Sequence, residues 1–273
     1  GRMLTKTDRN GTVTTYTYDT PGNLLTTTAG SGVQQVTISN TYYANGALKT
    51  ASSGGVTTTY TYNDQGLVAQ EAESGGITRE YTYDAAGNRL SMTVKNGSTV
   101  QLALTYTYDN QGRLYQVKDN GTVIAVYTYD ANGNRSSLTY ANGVTTTYGY
   151  NLANLVTSLE NKKGSTVLSS YAYTYQLDGN QRTKTDSTGL VTSYTYDGLG
   201  RLTGEAESTG QSLTYAYNSF GNRSSLTASG TQSYVTTYSY DLNNRLLTES
   251  KGQGGQTAVT TYTDDANGKA LHA

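Results

Sequence analysis

Aspartate recurs at one position of a short phrase that this chain repeats, and one copy reads YTYDAAGNRL at residues 81–90. A regular series of carboxylates could bind calcium, which prefers oxygen ligands. However, asparagine or glutamine fills the position in four repeats, which would weaken a charged site but suits a turn. We therefore expect turn residues and no metal site. The aspartates of the series are Asp19, Asp84, Asp109, Asp130, Asp197, Asp241 and Asp265, and the amides are Asn63, Asn151, Gln176 and Asn218.

Arginine also recurs, just after the glycine or asparagine of the same repeated segment, and a row of guanidinium groups could bind an anionic ligand. The alternative is a structural role, in which each arginine pairs with the aspartate of its own hairpin and lies over a tyrosine ring. We favour the structural role. The arginines in this position are Arg89, Arg113, Arg135, Arg201, Arg223 and Arg245.

Tyrosine dominates the aromatic content, with 27 Tyr against one Phe and no Trp. Rows of exposed rings can bind glycans, so an extracellular or wall-associated adhesion module is one possible function. Known aromatic hairpin repeats that bind choline or glucans rely on Trp, and this chain has none. Here 22 of the 27 tyrosines occupy just two positions of the repeated segment. That regularity favours a structural stripe, and glycan binding is kept as the alternative.

Other chemistry has little support in the sequence. His272 is the single histidine and there is no cysteine, so no catalytic triad, thiol chemistry or disulfide framework is indicated. We expect no enzyme, no cofactor and no catalytic residue. A net charge of −1 offers no electrostatic surface for nucleic acid. No apolar run approaches the roughly 20 residues that a transmembrane helix needs, so the chain should not span a membrane as a helix.

The repeated segment lies within a longer repeat unit, and twelve copies of this unit cover positions 1–273. We interpret these copies as a single repeat array. The second Tyr of each Tyr-x-Tyr recurs at short and nearly regular intervals, as at Tyr62, Tyr83, Tyr108 and Tyr129. A longer rhythm of three units lies over it, since KNGSTV at 95–100 returns as KKGSTV at 162–167. Some units are four residues longer than others. Two extra residues in each strand of a pair would keep every side chain on its face.

Each unit predicts a β-hairpin. Tyr-x-Tyr places both rings on one face of a strand, Asp and a Gly three residues later form a type I turn with a bulge, and a return strand follows. The fourth turn position is Gly in ten units and Asn in two (Asn154 and Asn244), which indicates a left-handed backbone. The structural positions of the four clearest copies are Tyr81, Tyr83, Asp84, Gly87 and Arg89; Tyr106, Tyr108, Asp109, Gly112 and Arg113; Tyr127, Tyr129, Asp130, Gly133 and Arg135; and Tyr194, Tyr196, Asp197, Gly200 and Arg201.

The sequence thus predicts an all-β antiparallel meander of about 24 strands. Because twisted open sheets rarely exceed ~10 strands without curling, we expect a spiral ribbon, a hollow shell or a barrel-like tube. Edge strands are templates for pairing, so we also expect self-association by β-edge pairing, most simply as a dimer.

The phrase Y-x-Y-D-x-x-G-[NR], in twelve copies, closely resembles the YD repeat of the Rhs family, which includes bacterial Rhs toxins, Tc toxin C components, wall-associated repeat proteins and teneurins. The resemblance implies a β-ribbon that spirals into a hollow shell, an exported or cell-surface setting in bacteria, and an enclosed C-terminal polypeptide as partner. Family toxins also carry a self-cleaving segment of D-P-x-G-x-x-D type, which this sequence lacks. Gly1-Arg2-Met3-Leu4 and Asn267-Gly268-Lys269 look like partial repeats, so we expect a longer native array.

Overall fold

The computed structural model describes residues 1–264 and 270–272, and the chain in these ranges is built from β-strands and turns. The strands β1 to β24 belong to one antiparallel sheet, which confirms the predicted all-β meander. A single 3-10 turn, Gly32–Gln34, is the one helical segment in the described ranges. Within these ranges no helix has the length and apolar character of a membrane span.

The described residues form two compact units. Unit 1 comprises Gly1–Ala125 with Asp264, and unit 2 comprises Val126–Thr263 with 270–272. The prediction of a single array over positions 1–273 stays a prediction. Asp265 and Gly268, which we placed in the last repeat, lie outside the described residues.

In unit 1, strands that follow one another in sequence pair side by side, as the hairpin pattern predicts. Its strands are β1 (Thr5–Thr7), β2 (Val13–Tyr18), β3 (Leu24–Ala29), β4 (Val36–Tyr42), β5 (Leu48–Ser53), β6 (Val56–Tyr62), β7 (Val68–Glu73), β8 (Ile77–Tyr83), β9 (Arg89–Asn96), β10 (Thr99–Tyr108) and β11 (Leu114–Asp119). The boundary between the units falls within β12 (Thr122–Tyr129).

Unit 2 continues in the same way, and its consecutive strands also pair antiparallel. They are β13 (Arg135–Tyr140), β14 (Val144–Tyr150), β15 (Val156–Lys163), β16 (Thr166–Tyr175), β17 (Gln181–Asp186), β18 (Val191–Tyr196), β19 (Leu202–Glu207), β20 (Ser212–Tyr217), β21 (Arg223–Ser229), β22 (Tyr234–Tyr240), β23 (Leu246–Gln253) and β24 (Gln256–Thr261). Two short strands complete the described ranges, β25 (Thr263–Asp264) and β26 (Ala270–His272).

The two faces of the hairpins differ in polarity because side chains alternate along a strand. In β8, Tyr81 and Tyr83 are half-buried on one face while Thr82 between them is exposed on the other. The Thr82 hydroxyl lies 2.6 Å from that of Ser91, its partner on β9. Equivalent hydroxyl pairs cross other hairpins, so the Thr face is a polar, hydrogen-bonded surface.

The two longest hairpins accommodate their additional residues partly through a bulge. In β9–β10 the pairing passes from Val100 opposite Lys95 to Leu102 opposite Val94, which leaves Gln101 as an extra residue. In β15–β16, which is the equivalent hairpin three units further along, Leu168 is extra in the same way. The expectation of two inserted residues in each strand was therefore too simple, because a bulge absorbs one residue without a partner.

Few residues are buried. Among the described residues only eight are, with exposed fractions from 1% to 8%, namely Ala29, Val117, Ala125, Leu138, Thr146, Thr192, Ala228 and Thr236. Most tyrosines are half-buried instead. The stability of each unit therefore rests on contacts between neighbouring hairpins more than on a conventional core.

Candidate functional site

The aspartate of the repeat is enclosed by its own turn. One oxygen of Asp109, Oδ1, accepts the backbone N–H of Gln111 and of Arg113, both at 2.9 Å, and Oδ2 accepts Nε of Arg113 at 2.8 Å. The Gly112 N–H closes the turn to the Asp109 carbonyl at 3.0 Å. Gly112 has a φ of 76°, in the left-handed region. Both carboxylate oxygens are thus engaged inside one hairpin.

The other predicted turns have the same geometry. Asp84, Asp130 and Asp197 each accept two backbone N–H groups of their own turn through Oδ1. The left-handed residue of each turn is a glycine, at Gly87, Gly133 and Gly200, with φ values of 85°, 87° and 75°.

Neutral side chains occupy the aspartate position without a change in the turn. Asn63 and Asn218 use Oδ1 to accept the same two backbone N–H groups. A hydrogen-bond acceptor is therefore sufficient here, and a negative charge is not required. Among the described residues no three Asp, Glu or His side chains come together as metal ligands.

The arginines divide into two groups that sequence reasoning treated as one. An arginine directly after the left-handed residue pairs with the aspartate of its turn, as Arg201 Nε does with Asp197 Oδ2 at 2.6 Å. The same pair forms at Arg113 and at Arg245, each 2.7 Å from its aspartate.

An arginine two residues after the glycine lies over a ring instead. The guanidinium carbon of Arg89 is 4.5 Å from the centre of the Tyr81 ring, and that of Arg135 is 5.1 Å from Tyr127. The Asn88 side chain takes the contact to the Asp84 carboxylate in this class, at 2.9 Å. Arg201 makes both contacts, because its guanidinium also lies 4.6 Å from the centre of the Tyr217 ring. The expectation that each arginine pairs with an aspartate and also covers a ring is corrected for Arg89, where one residue of extra spacing moves the side chain from the turn to the ring.

The second tyrosine of ten repeats makes a contact that the sequence analysis missed. Its hydroxyl donates a hydrogen bond to a backbone carbonyl on the return strand of the preceding hairpin, as Tyr108 does to Arg89 at 2.7 Å and Tyr83 to Val68 at 2.8 Å. The other donors are Tyr18, Tyr42, Tyr62, Tyr150, Tyr175, Tyr196, Tyr217 and Tyr240. A signal for it existed in the sequence, since a purely apolar stripe would not need Tyr in place of Phe.

The remaining predicted tyrosines belong to the same stripe. Tyr106 stands opposite Val117 on β11, and Tyr194 stands opposite Glu205 on β19. Tyr129 is half-buried at the end of β12. Burial raises the pKa of Tyr108 and of Tyr196 above the ordinary value of about 10. At neutral pH both phenols are protonated and act as donors. These tyrosines therefore connect neighbouring hairpins, with the hydroxyl of the second tyrosine as the hydrogen-bond donor.

Hydrogen bonds hold the pKa of the turn aspartates below the ordinary value. The cause for Asp84 is first the Asn88 side-chain amide, and for Asp109 and Asp197 it is first the backbone N–H of Arg113 and of Arg201. A carboxylate with a lowered pKa in the folded state stabilises the fold above its unfolded pKa of about 4. That stabilisation disappears as the pH falls through the lowered folded values.

Acid should therefore weaken the fold through these turns. We expect the urea midpoint to be steady between about pH 7 and 5 and to fall progressively below about pH 4, as the carboxylates protonate. The variant Asp84→Asn, Asp109→Asn, Asp197→Asn keeps the acceptors that Asn63 uses, and it should lose part of this pH dependence. An equally steep fall in the variant and the parent would contradict the assignment.

Comparison with known proteins agrees with this architecture. A family model described as the teneurin YD-shell matches residues 1–105 and 101–267. Among curated proteins, no relative of this chain was found.

Solved structures show the same fold. The chain matches the TcdB2-TccC3-Cdc42 structure with a TM-score of 0.71 at 16% identity, covering 99% of this chain and 19% of the matched chain. It matches the TcdB2-TccC3 structure with a TM-score of 0.63 at 19% identity, covering 100% of this chain and 16% of the other. The chain thus spans less than a fifth of the length of these structures, and at such identities the likeness concerns the fold. Because the family model covers nearly all of the sequence, the chain belongs to the teneurin YD-shell family of YD-repeat proteins.

Proposed function

We propose that this chain is a non-catalytic section of wall that encloses or shields a polypeptide, in an exported or cell-surface protein. The observation that carries the proposal is the chain of tyrosine hydrogen bonds. Each links one hairpin to the one before it, so the side chains that look reactive are used to hold the sheet together. Membership of the YD-shell family and the shared fold with the TcdB2-TccC3 structures support a structural module.

The arrangement of the faces also suits a wall. Few side chains are fully buried among the described residues, so a sheet surface is left that can lie against another polypeptide. The Thr face carries hydroxyl pairs, which suit water. Catalysis has no support in the turns, because the carboxylate oxygens of Asp109 accept hydrogen bonds from their own hairpin.

Glycan binding gains no comparable support. Cations lie over several tyrosine rings, including Arg89 over Tyr81 and Lys251 over Tyr234 at 4.0 Å, so these faces are already covered. The hydroxyls that could bind sugars instead donate to backbone carbonyls.

Protection from protease tests the proposal. In protein expressed from the complete gene, we expect segments outside the array to resist a protease, with fragments identified by mass spectrometry. Tyr83→Ala removes one link between hairpins and should make those segments more susceptible. Tyr115→Ala, which removes an exposed ring outside the two repeat positions, is the control. Equal digestion rates of the outside segments in parent and Tyr83→Ala protein would exclude a shielding wall.

A further inference from the structure

A row of exposed apolar side chains lies at the tips of five successive hairpin turns in unit 2. We name these residues the apolar tip row. They are Leu152, Leu177, Leu199, Phe220 and Leu242, with exposed fractions of 103%, 110%, 79%, 70% and 67%. Each occupies one of the two central positions of the turn that follows a Tyr-x-Tyr strand. Five such residues in consecutive turns form a pattern that scattered exposed leucines would not.

Turn chemistry does not explain the row. The central positions of these turns favour Pro, Asp, Asn, Ser and Gly, because those residues match the backbone or bond to it. The corresponding turns of unit 1 carry no large apolar residue, with tips such as Ala85-Ala86 and Asn110-Gln111. The turns at the opposite ends of the unit 2 strands, such as Ser187-Thr188 and Ser208-Thr209, carry none either. The apolar residues at these tips therefore indicate a surface that contacts a binding partner.

The five tips share one end of the strands and stand at regular intervals. Neighbouring turns contact each other directly, as where Asn222 Nδ2 donates to Asn244 Oδ1 at 2.9 Å. Successive turns are two strands apart, which is about 10 Å at the usual strand spacing, so the row is about 40 Å long. At roughly 150 Å² for each side chain, scaled by the exposed fractions given above, the row presents on the order of 600 Å² of apolar surface. A typical interface buries about 800 Å² on each partner.

We propose that the apolar tip row is an interface with a second copy of this chain, formed by two rows side by side about a two-fold axis. A second copy carries a row of the same period, and such an interface is self-complementary. The local charge permits this contact: Asp197 pairs with Arg201, and Asp241 with Arg245, inside their own turns. An anionic membrane is a poorer partner for the apolar tip row. Arg201 and Arg245 both pair with aspartates of their own turns, and the carboxylate residue Asp178 is exposed beside Leu177.

Concentration-dependent sedimentation tests the interface. We expect dimers that dissociate on dilution. The double variant Leu177→Asn, Phe220→Asn should raise the dimer dissociation constant by at least about 100-fold, since losing one buried apolar side chain changes it by about tenfold or more. Asparagine suits these turns, so circular dichroism should show an unchanged fold. Leu168→Asn is the matched control, because Leu168 is 54% exposed at a bulge outside the row.

Cross-linking gives a second, geometric readout. The chain has no cysteine, and in two fully overlapped rows the middle residue, Leu199, lies near the two-fold axis. Leu199→Cys should form a disulfide-linked dimer under mild oxidation, while Leu168→Cys should not. A monomer at all concentrations, equal effects of the row and control variants, or vesicle flotation of a monomer that depends on the row would each overturn the proposal. None of these results would bear on the shielding function, which does not need this interface.

Discussion

Replacing Tyr217 with alanine is expected to lower the free energy of unfolding of the surrounding hairpins by about 3 kcal/mol. The Tyr217 hydroxyl donates to the Leu202 carbonyl at 2.6 Å, a bond worth about 1 kcal/mol. The Arg201 guanidinium lies 4.6 Å from the centre of the ring while it also pairs with Asp197, and this contact adds roughly 0.5–1 kcal/mol. Loss of the half-buried ring area contributes the remaining ~1 kcal/mol.

Two further variants separate these contributions. Tyr217→Phe keeps the ring and removes only the hydroxyl, so a loss of about 1 kcal/mol is expected. Tyr115→Ala removes an exposed ring, 46% accessible, and should change stability by less than about 0.5 kcal/mol. Urea unfolding measures all three, and hydrogen exchange around Leu202 would locate the effect. If Tyr217→Ala is no more damaging than Tyr115→Ala, the tyrosine hydrogen bonds do not brace the sheet.

Gly112→Val is the second large effect, with an expected cost of at least about 2 kcal/mol. Gly112 has a φ of 76°, and a side chain built there would meet no atom within 4 Å. The penalty therefore comes from the backbone conformation alone, which disfavours L-residues by ~1–2 kcal/mol and β-branched residues by more.

Asparagine provides the matched control at this position. Asn154 and Asn244 occupy the equivalent turns with φ values of 59° and 64°, so Gly112→Asn should be close to neutral. Urea unfolding of the two variants compares them directly. Similar destabilisation by Val and Asn would mean that the left-handed conformation is not what this position requires.

Much of the hairpin could be predicted from the residues because its determinants are local. Alternation in Tyr81-Thr82-Tyr83 defines two faces within three residues, and the choice of Gly or Asn at the fourth turn position reports a backbone angle. The family resemblance rested on these same residues, and the family model confirms it. The arginines were predicted less well, because the ring or carboxylate that each one contacts depends on its exact distance from the bulge.

Contacts between hairpins were out of reach of that reasoning. The acceptor for Tyr108 is a carbonyl in the preceding hairpin, at Arg89, and a carbonyl has no sequence signature. The apolar residues of the tips are present in the sequence, but they form a surface only because the sheet places five turns side by side at one end of the strands of unit 2.

The repeat pattern alone established the β-hairpin, its turn geometry and the family, because strand alternation and left-handed turns depend on residues that are close in sequence. Only the folded structure decides which hairpins are joined by hydrogen bonds and which arginines cover rings. It also decides that the apolar side chains line up at one end of the strands of unit 2. Those features depend on how far each side chain reaches across neighbouring strands, and that distance is a property of the assembled sheet.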